Sequence, residues 1–136
     1  MIQILQNLCT ELTDEQASTV RGGRKLTIKR IQAVKANADP GFLGGSLFSS
    51  DDDTYLTVDG KQIFGPKQFA TGTSLTVNRS VEVGDTATIR AFDEDSFLRF
   101  GDDPLGSATV SKATTGGVAT LSGSGSTYEV FYSLSA

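Results

Sequence analysis

From Arg24 to the C terminus the apolar residues recur with period two and are cut every few residues by turn formers, a pattern that suits strands and not helices. Lys25-Leu26-Thr27-Ile28-Lys29 alternates and continues through Ile31, Ala33 and Val34 to Ala36, predicting a first strand with one buried face. Thr54 to Val58 and Lys61 to Phe64 flank Asp59-Gly60, the dipeptide of a type I′ hairpin. Gly65 to Gly72 reads as a turn region. Leu75 to Val77, Val81 to Val83 and Thr86 to Phe92 then supply further alternating segments. Beyond Gly106 come Ser107 to Val110, Val118 to Leu121 and Thr127 to Leu134, broken by Gly116-Gly117 and by a flexible turn at 122–126. Short strands at this spacing predict an all-β fold: an antiparallel Greek-key β-sandwich of seven or eight strands, with a barrel as second choice.

Composition narrows the function classes. At 136 residues the chain is long enough to bury one core. Sixteen acidic residues against twelve basic give a net charge of −4, which argues against a nucleic-acid binder held by bulk charge. Histidine is absent and Cys9 is the one cysteine, so histidine general-base catalysis, imidazole zinc sites and internal disulfides are excluded together.

The acidic residues are concentrated. Ala91 to Gly106, AFDEDSFLRFGDDPLG, places Asp93, Glu94, Asp95, Asp102 and Asp103 around Phe97, Leu98, Arg99 and Phe100. Two carboxylates ~5 Å apart at an effective dielectric of about 20 repel by roughly 3 kcal/mol, so a cation belongs there. Oxygen donors of this kind form the ligand set that calcium prefers. A second long loop, NADPGFLGGSLFSSDDD, carries Asp39, Asp52 and Asp53 together with Phe42, Leu43, Leu47 and Phe48, which a merely solvated connector does not need. An EF-hand is excluded: counting from Asp93, the sixth position is Leu98 rather than glycine and the twelfth is Pro104 rather than glutamate. TIRAFDEDS superficially matches the strand motif of haloacid-dehalogenase-like phosphatases, but that chemistry needs a parallel α/β scaffold, and no enzyme is expected from this β-rich chain.

The order of these elements resembles a C2 domain, the calcium- and phospholipid-binding β-sandwich. The first-loop signature of that family, an Asp, a spacer, then SDPYV, is matched by Asp39 and by Asp53-Thr54-Tyr55-Leu56; its third-loop signature is matched by Asp93-Glu94-Asp95 and Asp103-Pro104-Leu105-Gly106. The resemblance implies calcium ligands at Asp39, Asp53, Asp93, Asp95 and Asp103. The backbone carbonyl of Glu94 is an additional donor, and Asp52 and Asp102 are substitutes if the alignment slips by one. Phe42, Leu43 and Phe48 in one loop and Phe97, Leu98 and Phe100 in the other would enter a lipid interface once calcium neutralises the carboxylates, with Arg99 meeting an anionic headgroup. The function implied is calcium-dependent attachment to anionic phospholipid or cell-surface material. The alternative is a structural or adhesive sandwich in which calcium only rigidifies loops.

Residues 1–23 follow a different pattern. Ile2, Leu5, Leu8 and Leu12 recur at helical spacing, and Thr13-Asp14-Glu15-Gln16 fits a capping box, predicting a short N-terminal helix that stops at Gly22-Gly23. LTDEQASTVRGG resembles a double-glycine leader, the export signal of bacteriocin-like and many cyanobacterial small proteins. That resemblance implies cleavage after Gly23 by a peptidase-containing ABC transporter and a bacterial protein secreted as a domain of residues 24–136. The plain alternative is an N-terminal helix with a glycine C-cap.

Overall fold

The computed structural model describes residues 23–36, 52–94 and 102–136. The predicted N-terminal helix with Gly22, and Asp39, Phe42, Leu43, Leu47, Phe48, Asp95, Phe97, Leu98, Arg99 and Phe100, lie outside the described residues. The described residues form eight strands: β1 Arg24–Lys35, β2 Asp52–Val58, β3 Lys61–Phe69, β4 Ser74–Val83, β5 Ala87–Asp93, β6 Asp103–Val110, β7 Thr114–Gly123 and β8 Ser126–Leu134. They form two four-stranded sheets of order β4-β1-β8-β7 and β3-β2-β5-β6, every pairing antiparallel. The all-β sandwich predicted from the alternation is therefore the fold, and the barrel is not.

The inner faces meet in one core. Leu26, Ile28, Ile31 and Ala33 of β1 and Val130 and Leu134 of β8 lie against Leu56 and Val58 of β2 and Ile89 and Ala91 of β5, all essentially without solvent contact. Strict alternation cannot bury both Ile28 and Ile31, three residues apart. The ladder solves this by shifting register between Ile28 and Arg30 on both of β1's partners, a bulge that reverses the phase of the strand. A second shift between Ala33 and Lys35 leaves two consecutive residues, Val34 and Lys35, exposed and returns Ala36 to the buried side.

Four boundaries differ from those the sequence predicts, and each difference has a local cause. Gly65 to Gly72 is not all turn: β3 runs on to Phe69 through a cis Gly65-Pro66 bond. β3 is an edge strand, where a proline without an N–H forfeits no ladder bond. Leu75–Val77 and Val81–Val83 belong to one strand, β4, which accommodates Asn78 at φ 47° beside an irregularity in its pairing. Gly116-Gly117 does not break β7; the missing side chain at Gly117 makes room for the Tyr132 ring. Asp103 to Gly106, expected as part of the third loop, is the start of β6. The Asp59-Gly60 hairpin is as expected, with φ 50° and 86°, and Ser124-Gly125 repeats it at φ 51° and 87°.

Arg24, the first residue of β1, closes the sandwich at one end. Its guanidinium donates to the carbonyls of Asp85, Ser111 and Ser135, joining the β4–β5 connection, the β6–β7 connection and the C-terminal residues.

Candidate metal centre

At the opposite end, β2, β5 and β6 lie side by side and bring two predicted ligands, Asp93 and Asp103, into register on one face, whereas the side chain of Asp53 lies on the other, exposed face of β2. Thr54 on β2 is opposite Asp93 on β5, and Asp93 is opposite Asp103 on β6. Asp53 is the neighbour of Thr54. Segments 37–51 and 95–101 both leave and rejoin the described chain at this end.

Directly opposed residues share a sheet face with Cβ atoms about 5 Å apart. Asp93 and Asp103 are such a pair, and Asp93 is 1% exposed while Asp103 is partly exposed, so two carboxylates are held on one face of the sheet at this end. The Asp53 amide donates to Asp93 Oδ1 at 2.7 Å, and the Glu94 amide donates to the Asp53 carbonyl at 2.8 Å, so the strand ends are stitched together around the carboxylate. Among the described residues no group of three carboxylates converges on one point. The donors present are hard oxygens held at strand ends, a chemistry that fits a calcium ion and does not fit a soft metal.

Neighbouring aspartates in the same motifs have different surroundings. Asp53 is exposed, whereas Asp52 is completely buried and faces the interior. Asp52 Oδ2 accepts from the Ser126 hydroxyl and from the Tyr128 hydroxyl, both at 2.7 Å and both from the other sheet. Having given its one proton to Asp52, the Tyr128 oxygen accepts from Thr54 Oγ1 at 2.8 Å. The Tyr128 ring stands edge-on to Phe69, centroids 5.5 Å apart, and Phe69 is the strand partner of Asp52. Asp102 is exposed and accepts from the Tyr55 hydroxyl at 2.5 Å, while the Tyr55 ring stacks on Phe92 at 5.2 Å.

Ser126, Tyr128 and Thr54 are site residues that sequence reasoning misses. One signal is available for Tyr128: it shares the inward phase of β8 with Val130, and a buried tyrosine needs a partner for its hydroxyl. Nothing local pairs it with Asp52, 76 positions away.

Both phenols are shifted upward. Burial, then the hydrogen bond and charge of Asp102, then Glu94, push Tyr55 up to about 12. Burial raises Tyr128 further; the bond from Thr54 works against this, and the bond and charge of Asp52 and the charge of Asp93 add to it. The native state thus favours neutral tyrosine. The stability involved is complete below the ordinary tyrosine value of about 10 and is lost as pH rises through the folded-state values. In an alkaline titration, the ionisation of Tyr128 should coincide with loss of β circular dichroism. Full tyrosinate absorbance near pH 10 with the fold intact would contradict this arrangement.

No family model matches the chain, and among curated proteins none matches it. Its fold is similar to solved structures of extended-synaptotagmin 2. The structure of that protein's two C2 domains is 21% identical over 84% of this chain and 40% of that one, with a TM-score of 0.54. The calcium-bound form of the same two domains is 18% identical over 84% and 45%, again at 0.54. A longer structure that adds the SMP domain to the pair is 20% identical over 92% and 30%, at 0.56. The chain spans less than half the length of each. These likenesses define the fold class as a C2-like β-sandwich.

Proposed function

We propose that the protein is a calcium-binding C2-like module that attaches to anionic phospholipid or another anionic surface outside the cell. The observation that carries this reading is the Asp93–Asp103 pair, directly opposed across neighbouring strands at the end where segments 37–51 and 95–101 join the sandwich. The fold class supports it, since a similar structure of extended-synaptotagmin 2 is calcium bound. In this reading Asp53, Asp93 and Asp103, with Asp39 and Asp95, hold the ion. Asp52 and Asp102 are occupied by Tyr128, Ser126 and Tyr55 and do not. Neutralising the carboxylates removes the barrier to lipid contact by Phe42, Leu43, Phe48, Phe97, Leu98 and Phe100, and Arg99 pairs with a headgroup.

The test is the variant Asp93→Asn with Asp95→Asn. Calorimetry should show calcium binding abolished or weakened beyond the roughly 10- to 100-fold typical of losing a group that only orients a ligand, while circular dichroism stays that of the native sandwich; unchanged binding refutes the site. Wild-type protein should sediment with phosphatidylserine-containing liposomes in calcium and remain in solution with a chelator. Calcium-dependent thermal stabilisation without sedimentation would instead assign the metal a structural role in an adhesive sandwich.

Export through a peptidase-containing ABC transporter forms part of the same proposal. A cut after Gly23 releases a chain beginning with Arg24, the first residue of β1, and retains the Arg24 clamp. Mass spectrometry of protein recovered outside the cell should find Arg24 at the N terminus. An intact Met1 there would remove the leader.

A further inference from the structure

We infer that Asp52 is a positioning residue for the metal centre: a buried relay from Tyr128 and Ser126 of one sheet through Asp52 of the other fixes the Asp53 backbone and, through it, the Asp93 carboxylate. The inference rests on the calcium reading above. Asp52 and Thr54 face inward on β2, and each is bonded to Tyr128 or Ser126 across the sandwich. The residue between them is therefore held at both sides. Its amide donates to Asp93 Oδ1, and its carbonyl accepts from the Glu94 amide.

Three features make this more than general packing. The relay lies at the root of the strands that carry the ligands, and it ties the sheet that bears them to the sheet that does not. Both donors converge on one oxygen, Asp52 Oδ2, at 2.7 Å, which fixes the direction of the carboxylate as well as its depth. Tyr128 is itself immobilised by Phe69 and by Thr54, so the relay is anchored at its far end. A carboxylate already oriented by such outer partners loses less freedom on capturing a metal, and removing such partners typically weakens metal affinity about 10- to 100-fold.

Tyr128→Phe deletes the hydroxyl and keeps the ring, and Ser126→Ala is a second variant should the first fail to fold. Val130→Ala, the next inward residue on β8, is the control that destabilises the core without touching the relay. We expect Tyr128→Phe to weaken calcium binding about 10-fold in calorimetry and to speed amide exchange at Asp53 in metal-free protein. Val130→Ala should lower Tm and leave the calcium Kd unchanged. An unaltered Kd in the hydroxyl variants, or an equal loss in Val130→Ala, overturns the positioning role. Failure of the calcium reading has a separate signature: wild-type protein and Asp93→Asn would bind calcium equally, or neither would. In that event, unchanged Asp53 amide exchange in Tyr128→Phe overturns the relay without reference to calcium.

Discussion

Gly106→Ala should remove a large part of the protein's stability, while Gly116→Ala should be nearly neutral. Gly106 adopts φ 125°, which L residues avoid, and a Cβ there would stand 2.3 Å from the Ser122 nitrogen and 2.8 Å from the Leu121 carbonyl carbon. Both neighbours are backbone of β7, so no side-chain rotation relieves the clash. Strain of about 1–3 kcal/mol for the backbone and a similar amount for overpacking together approach the whole stability of a marginal domain, about 5–15 kcal/mol. The urea midpoint should fall by more than about 1 M, and at the upper limit the variant will not fold. At Gly116 nothing lies within 4 Å of the added methyl, and φ is not in the left-handed region. Similar midpoints for the two variants would show that β6 and β7 are not in close contact. The consequence extends to the site. Gly106 lets β6 lie against the β7–β8 hairpin, where Ser124 donates to the carbonyl of Pro104, the residue after Asp103.

Gly106 also shows what kind of information a sequence carries. As the last residue of Asp103-Pro104-Leu105-Gly106 it is recognisable as part of a motif, but its reason is a close approach to β7, which no local pattern encodes. Local features are legible: Asp59-Gly60 forms its hairpin because both φ angles are set within two residues. Strands are legible wherever alternation persists, as in β5 and β8. β1 is legible as a strand although its bulge at Lys29 is not, because a bulge is fixed by partners on both sides. Gly65-Pro66 misleads for the opposite reason: glycine and proline punctuate a pattern, and only the strand order reveals that β3 is an edge able to tolerate them. The acidic motifs are visible as composition, and the alignment of Thr54, Asp93 and Asp103 across β2, β5 and β6 follows from register that only the fold supplies.

Asp52→Ala and Asp53→Ala, adjacent substitutions of the same chemistry, should differ sharply in their cost to stability without metal. Asp51, Asp52 and Asp53 are indistinguishable in a composition, but register turns Asp52 wholly inward and Asp53 outward. Truncating Asp52 strips an acceptor from two buried hydroxyls. Ser126 and Tyr128 would then keep their desolvation cost without their charge-assisted bonds, a loss of about 2–4 kcal/mol. Asp52→Asn retains one acceptor oxygen and should lose about half as much. Asp53→Ala leaves its amide on Asp93 and removes only an exposed side chain, so its stability without metal should stay within about 0.5 kcal/mol of wild type. Its effect should appear in calcium titration instead. Chemical denaturation with a chelator present separates the two; in calorimetry with calcium both should bind more weakly, Asp53→Ala through loss of a ligand and Asp52→Ala through loss of the relay. If Asp53→Ala proved the more destabilising without metal, the register of β2 would have to shift by one residue, and every inward and outward assignment on that strand would reverse with it.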